Sequence, residues 1–362
     1  MSAPRIAVLA CAVVCATALT AACTPSSTGP ITFPSRNPSA SPVPASSLSP
    51  SVAGSLTLAF GGDVHFVDRT LPLLKDPQTA FGPFAEQLRA ADFAMVNLES
   101  AITTRGTEQP KRYHFRAPPT AYAAIQAAGI DLVSIANNHT LDYGQTGLLD
   151  TLDSAKAANM PVVGAGRNVA EAYEPYVTTV KGVRVGVVAL SQVHELAEQW
   201  KPTESRPGIA MAFNMQLSVA AVKKARSVAD LVIVYLHWGT EGSYCPNGEQ
   251  KSAARALAEA GAQVIVGTHA HMPQGDGFIG ASYVHYGLGN FLWYGPSKST
   301  DTGLLSLTVS AQSGWNVTNR SFTPGVISGT GQAKPVSGSA LTSARQRLDR
   351  ADACSGLART PG

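Results

Sequence analysis

The chain has 362 residues, of which 44% are apolar and only 14% charged, with a formal charge of +3. At about 150 residues per domain that length suits two domains or one large α/β sandwich, and the apolar share excludes disorder throughout. Lys and Arg (27) barely exceed Asp and Glu (24) and no block of five basic residues occurs, which excludes nucleic acid as a partner.

Residues 1–22 read as an export signal, with Arg5 before the apolar run Ile6 to Leu19 and small residues after it. The string Leu19-Thr20-Ala21-Ala22-Cys23 resembles a bacterial lipobox, which would lipidate Cys23 and hold the protein on the outer face of the cell membrane. Its leucine stands four places before the cysteine instead of three, so plain secretion is the alternative. Residues 23–54 are rich in Ser, Pro, Thr and Ala and form a tether unable to bury a core. No Cys-x-x-Cys pair occurs, and in an oxidising compartment Cys245 and Cys354 can either bridge or stay free.

From Leu56 onward, short apolar runs alternate with helical patterns, the signature of an α/β fold. Strands are expected at Leu56 to Phe60, Phe93 to Val96, Leu132 to Ala136, Leu231 to Leu236, Val264 to Val266 and Tyr283 to Leu288. Helices are expected at Phe84 to Ala91, Thr120 to Ala128, Gly147 to Ala158, Met215 to Ala229 and Gly248 to Ala260, with Gly129 and Gly261 as C-terminal stops. A domain over 55–325 should precede a tail over 326–362, where the basic stretch Ala340 to Ala353 is a helical surface appendage.

The strands end in polar residues. Asp63 and His65, Asn97 and Glu99, Asn138 and His139, His237, and His269 and His271 each follow an apolar run. In α/β sheets such residues gather at one rim, where ligands bind. A site for two divalent cations needs imidazole, carboxylate and amide donors, one carboxylate bridging both ions. Asp63 and His65, two apart, can grip one ion; Glu99 is the natural bridge; Asn138, His237, His269 and His271 complete the set. His139 is then free as a general acid.

The ordered motifs Gly-Asp, Asn-Leu-Glu, Asn-Asn-His-x-x-Asp-x-Gly, His-Trp-Gly-x-Glu, Gly-x-His-x-His and Gly-Asn-Phe resemble the CapA family of poly-γ-glutamate capsule synthesis proteins, over roughly Leu56 to Leu307. That family is related to calcineurin-like metallophosphatases, which implies a four-layer αββα sandwich, two metal ions (Mn, Fe or Zn) and a metal-bound water attacking a phosphoryl or acyl centre. The superfamily's second aspartate motif is missing, and Glu99 takes its bridging place. CapA relatives often carry methionine where this chain has His65.

The stretch Lys111 to Pro118 gathers three cations around two aromatics, offering partners to a polyanion, with a solvated loop as the alternative. The resemblance tips the balance toward Lys111 and Arg116 as substrate contacts. Asp142 is expected to shape the turn after His139, Glu241 to orient His237, and Asn290 to fix a rim loop; His114, His194 and His285 are structural or surface residues. Three functions stay open: phosphoester hydrolysis, cleavage or transfer of an amide-linked anionic polymer such as poly-γ-glutamate, and non-enzymatic service to a membrane polymer synthase or exporter.

Overall fold

A computed structural model describes residues 54–362. The export signal, Cys23 and nearly all of the tether lie outside the described residues. Among the described residues, strands assemble into two large sheets. The first runs in the order Ala333–Pro335, Asn316–Ile327, Asp301–Ser310, Ser55–Val64, Phe93–Leu98, Leu132–Ser134, Val162–Val163, with Asn290–Leu292 paired to Ser55–Val64. The second runs Asp276–Ile279, Ser282–His285, Val264–His269, Leu231–Trp238, Val183–Ser191, Tyr176–Val180.

The two-residue period of a strand decides the layers. Leu58, Phe60 and Met95 of the first sheet face Val185, Val187, Ile233, Tyr235 and Val266 of the second in one shared core. The intervening residues face outward. Ala59, Ala94 and Val96 meet Leu88, Tyr122, Ile125 and Leu148 from the helices Ala85–Ala90, Thr120–Ala127 and Gly144–Ala157. On the opposite side Val232, Val234 and Leu236 meet Val222 and Leu257 from Met215–Val228 and Gly248–Glu259. The order is therefore helix, sheet, sheet, helix, the expected αββα sandwich. Because both faces of the inner strands are covered, Leu231–Trp238 is buried throughout and reads as a continuous apolar run. Each fully buried large aliphatic side chain stabilises such a layer by about 1.5–3 kcal/mol.

The five expected helices appear within a residue or so of their expected ends, save that Gly144–Ala157 starts one turn earlier. Gly129 and Gly261 follow two of them at φ +79° and +110°, where a side chain would be strained. Val183–Ser191 was not among the expected strands, since it ends in Ser191 and Gln192 and supplies no candidate ligand. Its run is apolar like the others, and it pairs in parallel with Leu231–Trp238.

The chain after residue 325 is less of a tail than its composition suggests. Asn316–Ile327 crosses the expected boundary, Ala333–Pro335 extends the same sheet, and Gly338–Ser355 is a helix fastened by a Cys245–Cys354 disulfide. Arg347 forms a two-armed ion pair with Asp301 at 2.5 and 2.7 Å, and Asp352 Oδ1 accepts from the Asp276 N–H at 2.9 Å. The helix expected to be an appendage is thus bound covalently and by charge. Among the described residues no helix is long and apolar enough to cross a membrane.

Candidate metal centre

Strand registry brings the polar strand ends together. Asp63 is level with Asn97, Asn97 with Ser134, His237 with Thr268, and Trp238 with His269. Tyr235 donates from its hydroxyl to the Gly61 carbonyl at 2.5 Å, joining the two sheets just beneath this rim. Gly62 lets the Leu288 to Asn290 turn lie against the first strand: a Cβ there would stand 1.8 Å from the Gly289 carbonyl oxygen.

Asp63, Glu99 and His237 are at most 1% exposed, and His269 is 6% exposed. Two sets of three donors form around them. Glu99, His237 and His269 make one, Asp63, Glu99 and His271 the other, with the ligating atoms of each set within 4.8 Å of one another. Glu99 belongs to both. His237 Nε2 lies 3.2 Å from Glu99 Oε1, 2.8 Å from Asn138 Oδ1 and 3.1 Å from His269 Nδ1. Three donor atoms crowd one imidazole nitrogen, an arrangement suited to a shared cation. His271 Nδ1 and the His269 N–H both approach Asp63 Oδ2 at 3.1 Å. His269 and His271 take φ of +79° and +55°, and strain of this kind at non-glycine residues gathers at functional sites.

His65 does not pair with Asp63 as a two-residue grip on one ion. It reaches the cluster through Glu99 Oε2, 3.0 Å from its Nε2, while its Nδ1 is buried with no partner. Rings of Phe115 and Trp293 pack edge-on against it, at centroid distances of 4.5 and 4.8 Å.

Charge in the cluster is mutually arranged. Burial acts to raise Glu99, but the charges of His237 and His271 and hydrogen bonds from His237 and His65 outweigh it and hold the carboxyl well below its ordinary range. For His271 burial acts downward, yet Glu99 and Asp63 overcome it and push the ring up to about 9. Burial and the neighbouring His237 and His271 charges push His269 well below the usual histidine value. Three histidines, two carboxylates and an amide oxygen are a borderline donor set that fits divalent manganese, iron or zinc.

Beside the cluster, His139 donates from Nδ1 to Asp142 Oδ2 at 2.7 Å, and its Nε2 faces Glu99 Oε1 at 3.8 Å. Burial lowers its pKa, with the Lys111 charge adding and Asp142 opposing. Asp142 therefore orients His139 directly, besides accepting from the Phe115 N–H at 2.6 Å.

The two cations expected at the substrate point elsewhere. The Lys111 side chain is 1% exposed, its Nζ 2.9 Å from Asp142 Oδ1 and 3.0 Å from Glu195 Oε2, and it donates to the Asn138 carbonyl. Arg116 is exposed and covers the Tyr143 ring at 4.5 Å. A lysine that does line the cleft, of about 190 Å³, is Lys298, together with Tyr113, Phe115, Trp293 and Tyr294. Glu241 also differs from expectation. It is exposed in the cleft and groups with His269 and His271, whereas His237 Nδ1 is held by Thr268 Oγ1 at 3.0 Å and by Asn97 Nδ2 at 3.2 Å.

Asn97 is the hub that sequence reasoning missed. Its amide also donates to Asp63 Oδ1 at 2.8 Å and its carbonyl accepts from Asn137 at 3.0 Å, tying three strand ends. Its place two residues before Glu99, on the same face, was the available signal. Asn290 donates to Ser297 Oγ at 3.2 Å within the rim loop, leaving its Oδ1 buried and unpartnered. His114 and His194 lie outside the cluster, and His285 is buried beside Tyr283.

Residues 57–294 match the family model described as bacterial capsule synthesis protein PGA_cap. The PGA biosynthesis protein CapA of Bacillus subtilis is 27% identical over 257 residues, covering 69% of this chain and 67% of that protein. The capsule biosynthesis protein CapA of Bacillus anthracis is 28% identical over 261 residues, covering 69% of this chain and 63% of that protein. This chain thus spans about two thirds of the length of these relatives. Among solved structures, a phosphatase from Mycoplasma pneumoniae aligns at 16% identity and a TM-score of 0.48, covering 75% of this chain and 94% of that one. With its matching region covering about two thirds of the chain and every residue of the clustered rim, the chain belongs to the bacterial capsule synthesis family PGA_cap.

Proposed function

We propose that this protein is a metal-dependent hydrolase of the bacterial envelope that acts on poly-γ-glutamate or a related anionic polymer. One observation carries the reading: two donor sets share the Glu99 carboxylate, and Glu99 and His271 line one cleft. Asp63 and His271 would hold one divalent ion and His237, His269 and Asn138 the other, with Glu99 between. Such ions supply Lewis acidity toward a phosphoryl or acyl oxygen and charge stabilisation in the transition state.

The chain's own residues do the rest. His139, its Nδ1–H held by Asp142, presents Nε2 to the cleft beside Glu99; in the neutral ring Nε2 is placed to accept a proton from the attacking group, and the imidazolium so formed can pass it to the leaving group. Phe115, Trp293 and Tyr294 wall the cleft with aromatic rings. Lys298 offers a cation to a carboxylate or phosphate at the mouth.

The envelope location rests on the export signal and on Cys23, which would carry the lipid, and the Cys245–Cys354 disulfide agrees with an oxidising compartment. Loss of membrane partition in Cys23→Ser tests it; unchanged partition refutes lipidation.

The reaction is tested on the full-length chain beside a His269→Ala, His271→Ala double variant. Metal content, turnover of an aryl phosphate and size change of poly-γ-glutamate are followed together. About two transition-metal ions per chain are expected, with hydrolysis of one substrate lost in the variant. Protein that stays metal-free and inert after reconstitution with manganese, iron and zinc overturns the reading in favour of a non-catalytic polymer partner.

A further inference from the structure

Beyond the two buried sets, a third group of donors stands at the cleft: Glu241, His269 and His271, with ligating atoms again within 4.8 Å of one another. Its composition differs in one respect from the inner sets. Its carboxylate, Glu241, is exposed, while the carboxylates of the inner sets, Glu99 and Asp63, are at most 1% exposed. Local structure keeps Glu241 in place, since the Gly242 N–H donates to the Ala270 carbonyl at 2.8 Å, between the two histidines in sequence.

The outer group overlaps the inner ones in a particular way. It shares His269 with the Glu99 and His237 set, and His271 with the Asp63 set. A given imidazole nitrogen binds one ion at a time, so the outer group is not simply a third permanent position beside two filled ones. A hydrated divalent ion entering from solvent would meet the exposed Glu241 carboxylate before the buried Glu99 and Asp63. Moving inward would retain one histidine and exchange the other two donors, Glu241 and His271 for Glu99 and His237, or Glu241 and His269 for Glu99 and Asp63.

We propose that Glu241, His269 and His271 form a capture site for divalent first-row transition-metal ions, through which the two buried sets are loaded. This rests on the metal centre proposed above and adds a route to it. Glu241 is a loading ligand, needed for the rate of uptake and not for the final content.

The test uses full-length protein stripped of metal by a chelator and mixed rapidly with Co²⁺. Uptake is followed by cobalt visible absorbance and by tryptophan fluorescence, Trp293 lying 4.5 Å from the His271 ring. Glu241→Gln is expected to load at least tenfold more slowly than the wild type and to reach the same cobalt content. Glu249→Gln, which removes an exposed carboxylate elsewhere, should load at the wild-type rate. Equal rates in the wild type and Glu241→Gln overturn the capture route while leaving the metal centre standing. Equal slowing in both variants overturns it too, as an effect of overall charge. A lower final content in Glu241→Gln overturns it by making Glu241 a resident ligand. A wild type that takes up no cobalt removes the centre itself.

Discussion

His139 Nδ1 and Asp142 Oδ2 lie 2.7 Å apart, and neither residue is more than 6% exposed. This bond fixes both the tautomer and the orientation of the ring, leaving Nε2 toward Glu99 and the cleft. Asp142→Asn should lower kcat by about 10²- to 10³-fold, within the range of a general acid–base contribution. Metal content should stay unchanged. The check is steady-state kinetics beside metal analysis; parallel loss of metal would assign Asp142 to the centre's integrity instead.

Lys111 is a buried cation between Asp142 and Glu195, lying 5.0 Å from the Trp200 ring centroid. Removing one partner of a buried ion pair leaves an uncompensated charge, at a cost of about 3–5 kcal/mol. The partial exposure of Glu195 places Lys111→Met near the lower end of that range. Arg116→Ala, which uncovers only the Tyr143 face, should shift stability by less than about 1 kcal/mol. Denaturant titration of the two variants gives the comparison, and equal effects would contradict the placement.

The Cys245–Cys354 bridge closes a sequence separation of 109 residues and ties the last helix to the segment that follows Glu241. Cys354→Ser should cost about 2–4 kcal/mol. A reductant should lower the Tm of the wild type and leave that of Cys354→Ser unmoved. No difference between the two on reduction would show that the bridge is absent from the folded protein.

His285 is 2% exposed, and burial lowers its pKa, with Asp276 and Asp352 opposing from nearby. Its folded state therefore resists protonation more than its unfolded state does, which titrates near about 6.5. The contribution is intact above that pH and is lost as pH falls through the lowered value of the folded protein. Stability measured from pH 7.5 to 5 should decline less steeply in His285→Phe than in the wild type. An identical slope would place the acid sensitivity elsewhere.

Much of the site was legible because a strand leaves a simple record. Apolar runs covered on both faces end abruptly where the sheet meets the rim, so Asp63, Glu99, His237, His269 and His271 could be listed before any geometry was known. The cluster does assemble from them, with Asn138 Oδ1 against His237 Nε2. Helices spaced by three and four were equally readable, as Thr120–Ala127 and Met215–Val228 show. The late strands were harder, because Asn316–Ile327 is only half covered and its polar residues blur the pattern.

The amino-acid sequence by itself determined the α/β architecture, the rim and the donor types brought to it, since periodicity and strand ends are local properties of the chain. Tertiary structure alone decided what each charged side chain meets. Lys111 is expected from the sequence as a substrate contact and is spent on Asp142 and Glu195, 31 and 84 residues away; Glu241 is expected as an orienting group for His237 and stands instead with His269 and His271. The physical reason is that burial and pairing of a charge depend on which distant segment covers it, and that is a property of packing between elements rather than of spacing within one.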